Sequence, residues 1–367
     1  MHLPTTDIPM KARLAVFLIC IAGAFVFGAP AAAQGGPAMQ SINQEALLLF
    51  QQGKYDQSIK VAKSGLELVT LKLGAEHPAA SAFLNRIAEC YRLQARFSQA
   101  EPLYVRSLAI REKAFGPGDK LVSQSLANFG MMRMAQGRNE EAEAMLKRSL
   151  AIREREVGSD STAVALTLSA LARLAAINGR GAAAEEMLKR AVAIEEKANG
   201  PGHPEVARVL NTLGELFLQE RNFPEAEAVY KRTLAIMDKA YGGKHPLSST
   251  SLTGLAEVYR EQGRLEESLE LYKQATALVD NSLDKGHPRM AESLAGAASV
   301  YLLAEDYDGA EALYLQALKV REATLGPEHP ETARTLEALA GVYAKMKQPA
   351  DAARFAARAE KIRAMQR

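Results

Sequence analysis

Histidine is the residue type whose spacing most suggests chemistry, because five of the six histidines share one register. They are His77, His203, His245, His287 and His329, each followed by proline and separated by multiples of 42 residues. Ligands of one zinc ion lie about 2 Å from it, whereas packed helices lie about 8–10 Å apart, so histidines on successive helices cannot share an ion. Asp119 and Ser161 fill the two vacant places, and both types are favoured helix N-caps. The register therefore predicts helix caps, with no metal site and no cofactor.

Cysteine and carboxylate residues form no catalytic pattern. The places 42 residues apart that correspond to Cys90 hold aliphatic residues or methionine, such as Met132, so we expect Cys90 in the core. Glu140 and Glu141 suit the positive end of a helix dipole. Basic residues such as Arg153 gather toward the other end, where we expect a solvated face. The chain has no Gly-rich phosphate loop, nucleophile elbow or Cys-x-x-Cys motif.

The same register indicates the elements that carry these side chains. It extends from about residue 36 to the end of the chain, and each 42-residue unit contains two stripes at helical spacing. Within residues 78–119 the stripes are Leu84, Ile87, Ala88 and Tyr91, then Ala100, Tyr104 and Ser107. Small residues recur at the Ala88 and Ala100 positions, which lets helices approach closely. Glycines such as Gly53 and Gly137 mark the turn between the two helices.

Composition excludes other classes. Lys and Arg together number 45 against 43 for Asp and Glu, a net charge of +2, which argues against nucleic acid as a partner. Hydrophobic residues make up 48% and charged residues 24%, the proportions of a folded chain.

The stripes resemble the tetratricopeptide repeat, whose pattern falls on Leu84, Ile87-Ala88, Tyr91, Ala100, Tyr104 and Ser107. The 42-residue variant, with Gly-Pro-Glu-His-Pro at 326–330, is similar to the kinesin light chain subgroup. The resemblance implies an all-α fold, a right-handed α-solenoid of about eight helix hairpins with a concave groove, over residues 34–367. The predicted units are 36–77, 78–119, 120–161, 162–203, 204–245, 246–287, 288–329 and 330–367.

The resemblance also implies that the first helix of each unit lines the groove and contacts a peptide. Positions on its outward stripe are the predicted peptide-binding residues. They are Asn85, Glu89, Arg92, Met131, Met134, Arg173, Asn211, Glu215 and Arg260. Kinesin-light-chain-like domains use asparagines to hold a peptide backbone, and here only Asn85 and Asn211 match. Met131 and Met134 form an apolar patch that suits an adaptable binding surface.

The first 33 residues follow the plan of a secretory signal peptide. Lys11 and Arg13 precede an apolar run from Leu14 to Gly28, and Ala31-Ala32-Ala33 provides a cleavage site. The sequence therefore predicts a signal peptide over 1–33 and an exported protein, periplasmic or secreted. An uncleaved membrane anchor is the alternative, although the run is short for a bilayer span.

These observations predict a non-catalytic scaffold or adaptor that binds a protein or peptide in its groove. We expect no nucleic-acid partner, and no membrane contact by the mature chain unless the leader is retained. One alternative is a regulatory or accessory subunit of an envelope enzyme complex. Another is a hydrolase that uses scattered carboxylates such as Glu89 and Glu257.

Overall fold

A computed structural model describes residues 36–242, 245–282 and 287–365 of the chain. Within these ranges the regular structure consists of sixteen α-helices, with no strand. The all-α prediction is therefore confirmed for the described part. The predicted signal peptide, 1–33, lies outside the described residues.

The helices follow one another as antiparallel pairs. In chain order they are α1 Pro37–Gln51, α2 Tyr55–Leu73, α3 Pro78–Leu93, α4 Phe97–Phe115, α5 Lys120–Ala135, α6 Asn139–Val157, α7 Thr162–Ile177, α8 Gly181–Asn199, α9 Pro204–Gln219, α10 Phe223–Tyr241, α11 Ser248–Glu261, α12 Leu265–Ser282, α13 Pro288–Leu303, α14 Tyr307–Thr324, α15 Pro330–Lys345 and α16 Pro349–Ala364. We number the pairs as hairpins 1 (α1 and α2) to 8 (α15 and α16). Each hairpin packs on the next, as in a solenoid.

The histidine register caps the first helices. His77 Nδ1 accepts a hydrogen bond from the Ala79 N–H at 3.2 Å, and the other four histidines accept the same bond from the residue two places on. Asp119 Oδ1 accepts from the Leu121 N–H at 2.7 Å. The cap prediction is confirmed at His77, His203, His287, His329 and Asp119. It is wrong at His245, because α11 begins only at Ser248 and Leu247 occupies its N-cap position. It is also wrong at Ser161, whose side chain makes no cap bond.

The turn inside each hairpin places one residue in the left-handed region. In four hairpins it is glycine, namely Gly53, Gly137, Gly179 and Gly263, with φ between 73° and 77°. In the other four it is Ala95, Arg221, Glu305 or Lys347, with φ between 55° and 62°. A side chain in this region costs about 1 kcal/mol or more. The packing of the two helices therefore imposes the turn even where the local sequence disfavours it.

Arginines of the second helices join neighbouring hairpins. Arg111 donates to Ser81 Oγ at 2.9 Å in its own hairpin and to the Leu121 carbonyl at 2.8 Å in the next. Arg153 donates in the same way to Ser123 Oγ at 3.2 Å and the Ala163 carbonyl at 2.6 Å. Burial lowers the pKa of both guanidinium groups to about 10. The prediction of a solvated face is therefore wrong for Arg153, because its side chain is buried and hydrogen-bonded between two hairpins.

The array turns back on itself after six hairpins. A Cβ atom added to Gly53, in hairpin 1, would lie 2.8 Å from Pro288 Cδ at the start of hairpin 7. In hairpin 2 the backbone of Leu93 interacts with the His329 imidazole, which caps hairpin 8. Leu325, in the loop before hairpin 8, belongs to the same buried cluster as Phe83 and Leu93. We call this contact zone between hairpins 1–2 and 7–8 the seam.

Within the described ranges no helix combines the length and the apolar character that crossing a bilayer requires.

Candidate functional site

The first helices form the inner side of the array. From α1 to α13, each first helix contacts the first helix of the next hairpin, whereas no comparable contact joins successive second helices in the described ranges. The first helices are therefore closer together than the second helices, as on the concave side of a curved array. All nine predicted peptide-binding residues lie on these first helices.

Two of these residues belong to a Tyr–Glu–Arg triad. Arg92 Nη2 donates to Glu89 Oε2 at 2.9 Å, and the Tyr104 hydroxyl of the second helix also donates to Glu89. The triad is buried, which together with the neighbouring carboxylate raises the pKa of Tyr104 well above its usual value. Glu89 and Arg92 are thus already paired with each other.

The same triad recurs four hairpins later. Arg260 Nε donates to Glu257 Oε2 at 3.1 Å, and the Tyr272 hydroxyl donates to the same oxygen at 2.8 Å. Arg260 also pairs with Glu261 at 2.8 Å. Each carboxylate proposed for a hydrolase, Glu89 and Glu257, is therefore held by an arginine and a tyrosine of its own hairpin.

Arg173 and Glu215 form an ion pair between adjacent hairpins, with Arg173 Nη2 at 2.7 Å from Glu215 Oε2. Burial is the main cause that raises the pKa of Glu215 to about 7, and the charge of Glu292 acts in the same direction. Arg173 opposes both effects. This carboxyl group therefore changes its charge near neutral pH.

The two asparagines bind side chains of the following hairpin. Asn85 Nδ2 donates to Ser125 Oγ at 3.4 Å, and Asn211 Oδ1 accepts from Ser251 Oγ at 2.8 Å. Asn85 is fully buried, and Asn211 is half-buried. Both amides thus help to hold successive first helices in register.

A small cleft lies on the inner side between α5, α7 and α9. Its apolar lining comes mainly from Met134, Ala172, Ala176, Ile177, Leu188 and Leu216. Its polar lining comes from Arg173, Thr212, Glu215 and Gln219. The structure therefore brings Met134, Arg173 and Glu215 together at one cleft, whereas Met131 does not line it. The expectation of an exposed patch formed by Met131 and Met134 is wrong, because both side chains are buried against neighbouring helices.

Neither triad tyrosine is among the predicted site residues, because the repeat pattern places Tyr104 in a packing stripe. A signal was present in the chain. Glu89 and Tyr104 are 15 residues apart, as are Glu257 and Tyr272, and an arginine follows each glutamate by three residues.

Cys90 is a core residue, and the described residues contain no cluster of metal ligands. The Cys90 side chain is fully buried in the core, as predicted, and burial raises the pKa of its thiol to about 12. A thiol with so high a pKa is a poor nucleophile at neutral pH. Among the described residues, no group of three or more His, Cys, Asp or Glu side chains is placed to hold a metal ion.

Three solved structures illustrate the similarity of this chain to known proteins. A Podosopora anserina protein assigned to the kinesin light chains, with nearly identical TPR-like repeats, is 25% identical over 55% of this chain and 95% of its own (TM-score 0.45). BtubC (BKLC) from P. vanneervenii is 20% identical over 64% of this chain and 91% of its own (TM-score 0.49). The APC/C hetero-tetramer Cut9–Hcn1 shares the fold, at 16% identity over 88% of this chain and 53% of its own (TM-score 0.56).

Sequence comparison gives the family directly. A search of curated proteins found no match. The model of the tetratricopeptide repeat matches residues 38–113, 121–194, 164–239, 205–281 and 283–364, which together span nearly all of the described chain. Together with the sixteen paired helices, these matches show that the chain belongs to the tetratricopeptide repeat family.

Proposed function

We propose that this chain is a non-catalytic scaffold that holds a segment of a protein or peptide against its inner side, at the cleft between α5, α7 and α9. The observation that carries the proposal is the composition of the cleft wall. Apolar side chains of three successive hairpins converge there beside one ion pair, Arg173–Glu215. Binding sites commonly combine a mainly apolar wall with a few placed polar groups.

The wall suits an apolar side chain of a partner. Met134 is flexible and polarisable, so it can adapt to residues of different shape. Gln219 and Thr212 supply hydrogen-bonding groups beside the apolar wall. The charged residues of the wall, Arg173 and Glu215, are already paired with each other, and the rest of the wall is mainly apolar. The cleft therefore favours an uncharged side chain over a charged one.

A charge placed in the cleft tests this proposal. Peptides are first selected for binding to the unsubstituted protein from a random display library. Met134→Glu should then weaken binding of the selected peptides by about tenfold or more, because a carboxylate must be desolvated in an apolar wall.

The matched control is Ala344→Glu. Ala344 occupies the place that corresponds to Met134 in the last hairpin, and it is exposed. This variant should bind as the unsubstituted protein does, with both variants showing the same helicity. Equal affinity of the Met134→Glu variant and the unsubstituted protein would locate the site elsewhere.

The proposal includes export of the chain. The basic start, the apolar run and the Ala31-Ala32-Ala33 triplet support it. When the full chain is expressed in bacteria, we expect a product outside the cytoplasm whose first residue is Gln34. A chain that stays in the membrane fraction with residues 1–33 attached would show that the leader is an anchor instead.

A further inference from the structure

The burial of the turn residues reveals the seam. Residues at the same place in different hairpins can be compared directly, because the hairpins repeat. Gly53, Gly137, Gly179 and Gly263 have the same place in their hairpins and the same left-handed backbone. The last three are exposed, and a Cβ atom added to any of them would meet no atom within 4 Å. Gly53 alone of these four is buried, because Pro288 of hairpin 7 lies against it.

Leucines at the seam show the same contrast. Leu325 is 4% exposed, whereas Val157 and Tyr241, at the same place in other units, are 43% and 47% exposed. Leu93 is buried, whereas Leu303, at its place in hairpin 7, is largely exposed. Every unit makes contacts within its own hairpin and with adjacent hairpins. Such contacts therefore do not account for these differences in side-chain exposure.

Histidines complete the pattern. His203 is exposed, but His287 and His329 are buried although they make the same cap bond. His287 interacts with the backbone of Gln51, and His329 with that of Leu93. Each imidazole is therefore enclosed by a hairpin six units away.

We infer that the seam is a pH-sensitive latch: it holds the two ends of the array together when His287 and His329 are neutral, and it opens when they are protonated. Opening separates hairpins 1–2 from hairpins 7–8 and gives a partner wider access to the inner side of the array. The inference concerns the path to the inner side, and it holds whether or not the α5–α7–α9 cleft is the binding site.

The seam is suited to opening because it consists of turns and loops. In the described ranges, helices of hairpins 1–2 do not pack along helices of hairpins 7–8, whereas successive hairpins pack along their length. Separation of the ends therefore breaks few contacts and leaves every hairpin with its neighbours.

Burial and nearby positive charges oppose protonation of His287 and His329 in the closed array. Burial lowers the pKa of His287 to about 4 and that of His329 to about 3. The charged groups that act on the imidazoles are Arg289 on His287, and Arg321 and Arg334 on His329, and all of them disfavour a second positive charge. From hairpins 1 and 2 the contacts are the backbone groups of Gln51 and Leu93, which favour protonation only weakly.

The direction of the pH effect follows from these values. In the open form the imidazoles are hydrated, so their pKa returns toward 6.5 and the open form binds more protons. The closed form therefore loses stability as the pH falls below about 6.5. Between about pH 7.5 and about pH 5.5 the ratio of open to closed molecules should rise about tenfold for each histidine, and about a hundredfold for both.

A distance measurement across the seam tests the inference. Nitroxide labels are attached to cysteines in a Lys60→Cys, Ala323→Cys chain that also carries Cys20→Ser, while native Cys90 is protected by burial. Both label sites are exposed, in α2 and α14. We expect one short distance at pH 7.5 and an additional longer one at pH 5.5. Distances that are unchanged between these pH values would overturn the inference.

Two pairs of variants make the test specific. His287→Asn with His329→Asn keeps a cap acceptor but removes the titration, so the pH effect should disappear, whereas His203→Asn should leave it intact. Leu325→Glu should favour the longer distance at neutral pH, whereas Val157→Glu, at the matching exposed position, should not. If Leu325→Glu lowers the helicity, the histidine variants decide the matter. A pH effect that survives in the double histidine variant would refute the latch.

Discussion

Replacing Gly254 with alanine is expected to lower the free energy of unfolding by about 2 kcal/mol, because the added methyl group overpacks the core. The Tyr230 ring is clamped between two first helices. An ideal Cβ on Gly254 of α11 would fall inside the contact radius of the ring, and one on Gly214 of α9 would lie 2.8 Å from it. The ring is buried, so it cannot move away without displacing a neighbouring helix.

Gly341→Ala is the matched control for this prediction. Gly341 also lies inside a first helix, but it is exposed and a Cβ there would meet nothing within 4 Å. Alanine is favoured over glycine in a helix by about 1 kcal/mol, so this variant should be more stable than the parent. Urea unfolding followed by circular dichroism measures both effects. Changes of the same sign in the two variants would show that the ring is not clamped.

The clamp shows how far the repeat pattern predicts packing. Gly214 belongs to a position that is small in every unit, and that position was identified from the sequence. Gly254 belongs to a different position, which holds Arg86 in hairpin 2 and Asn128 in hairpin 3. A position that accepts an arginine gives no general sign that glycine is needed there. Two units need it, because a Cβ on Gly254 would meet the Tyr230 ring and one on Gly296, at the same position in hairpin 7, would meet the Tyr272 ring. The size of these two tyrosine rings creates that need locally.

Local rules therefore predicted most of the fold. The caps at His77 and Asp119 follow from a preference that acts within two residues, and the hairpins follow from helical spacing. The burial of Arg153 could not be read from charge alone, because an arginine on a helix surface and one between hairpins look alike in sequence. The recurrence of arginine at 111, 153 and 321 was the available sign.

The seam lies beyond any rule based on one unit. Gly53 and Gly137 have the same local sequence role, and they differ only because the array returns to hairpin 1 after six hairpins. Small rotations between successive hairpins determine that return, and they accumulate over the array. The position of the cleft depends on the same curvature, although Met134 and Arg173 could be selected in advance as members of one stripe.

The ion pair at the cleft leads to the second large expected effect, a change of stability with pH that depends on Glu215. Burial raises the pKa of this carboxyl group to about 7 in the folded chain, from about 4.5 when it is exposed. The folded chain therefore binds more protons between these values, so the free energy of unfolding should fall by about 3 kcal/mol as the pH rises from about 4.5 to about 7. The two seam histidines act in the opposite direction, because the closed array becomes more stable as the pH rises.

Glu215→Gln isolates the carboxyl group. The amide keeps an acceptor for Arg173 but does not titrate, so the difference in stability between the variant and the parent should change by about 3 kcal/mol between pH 5 and pH 8. Glu225→Gln is the control, since Glu225 is exposed on α10 and its substitution should leave the pH profile of the parent unchanged. Urea unfolding at several pH values measures all three proteins. Parallel profiles for Glu215→Gln and the parent would mean that Glu215 stays ionised across this range, with Arg173 outweighing the cost of burial.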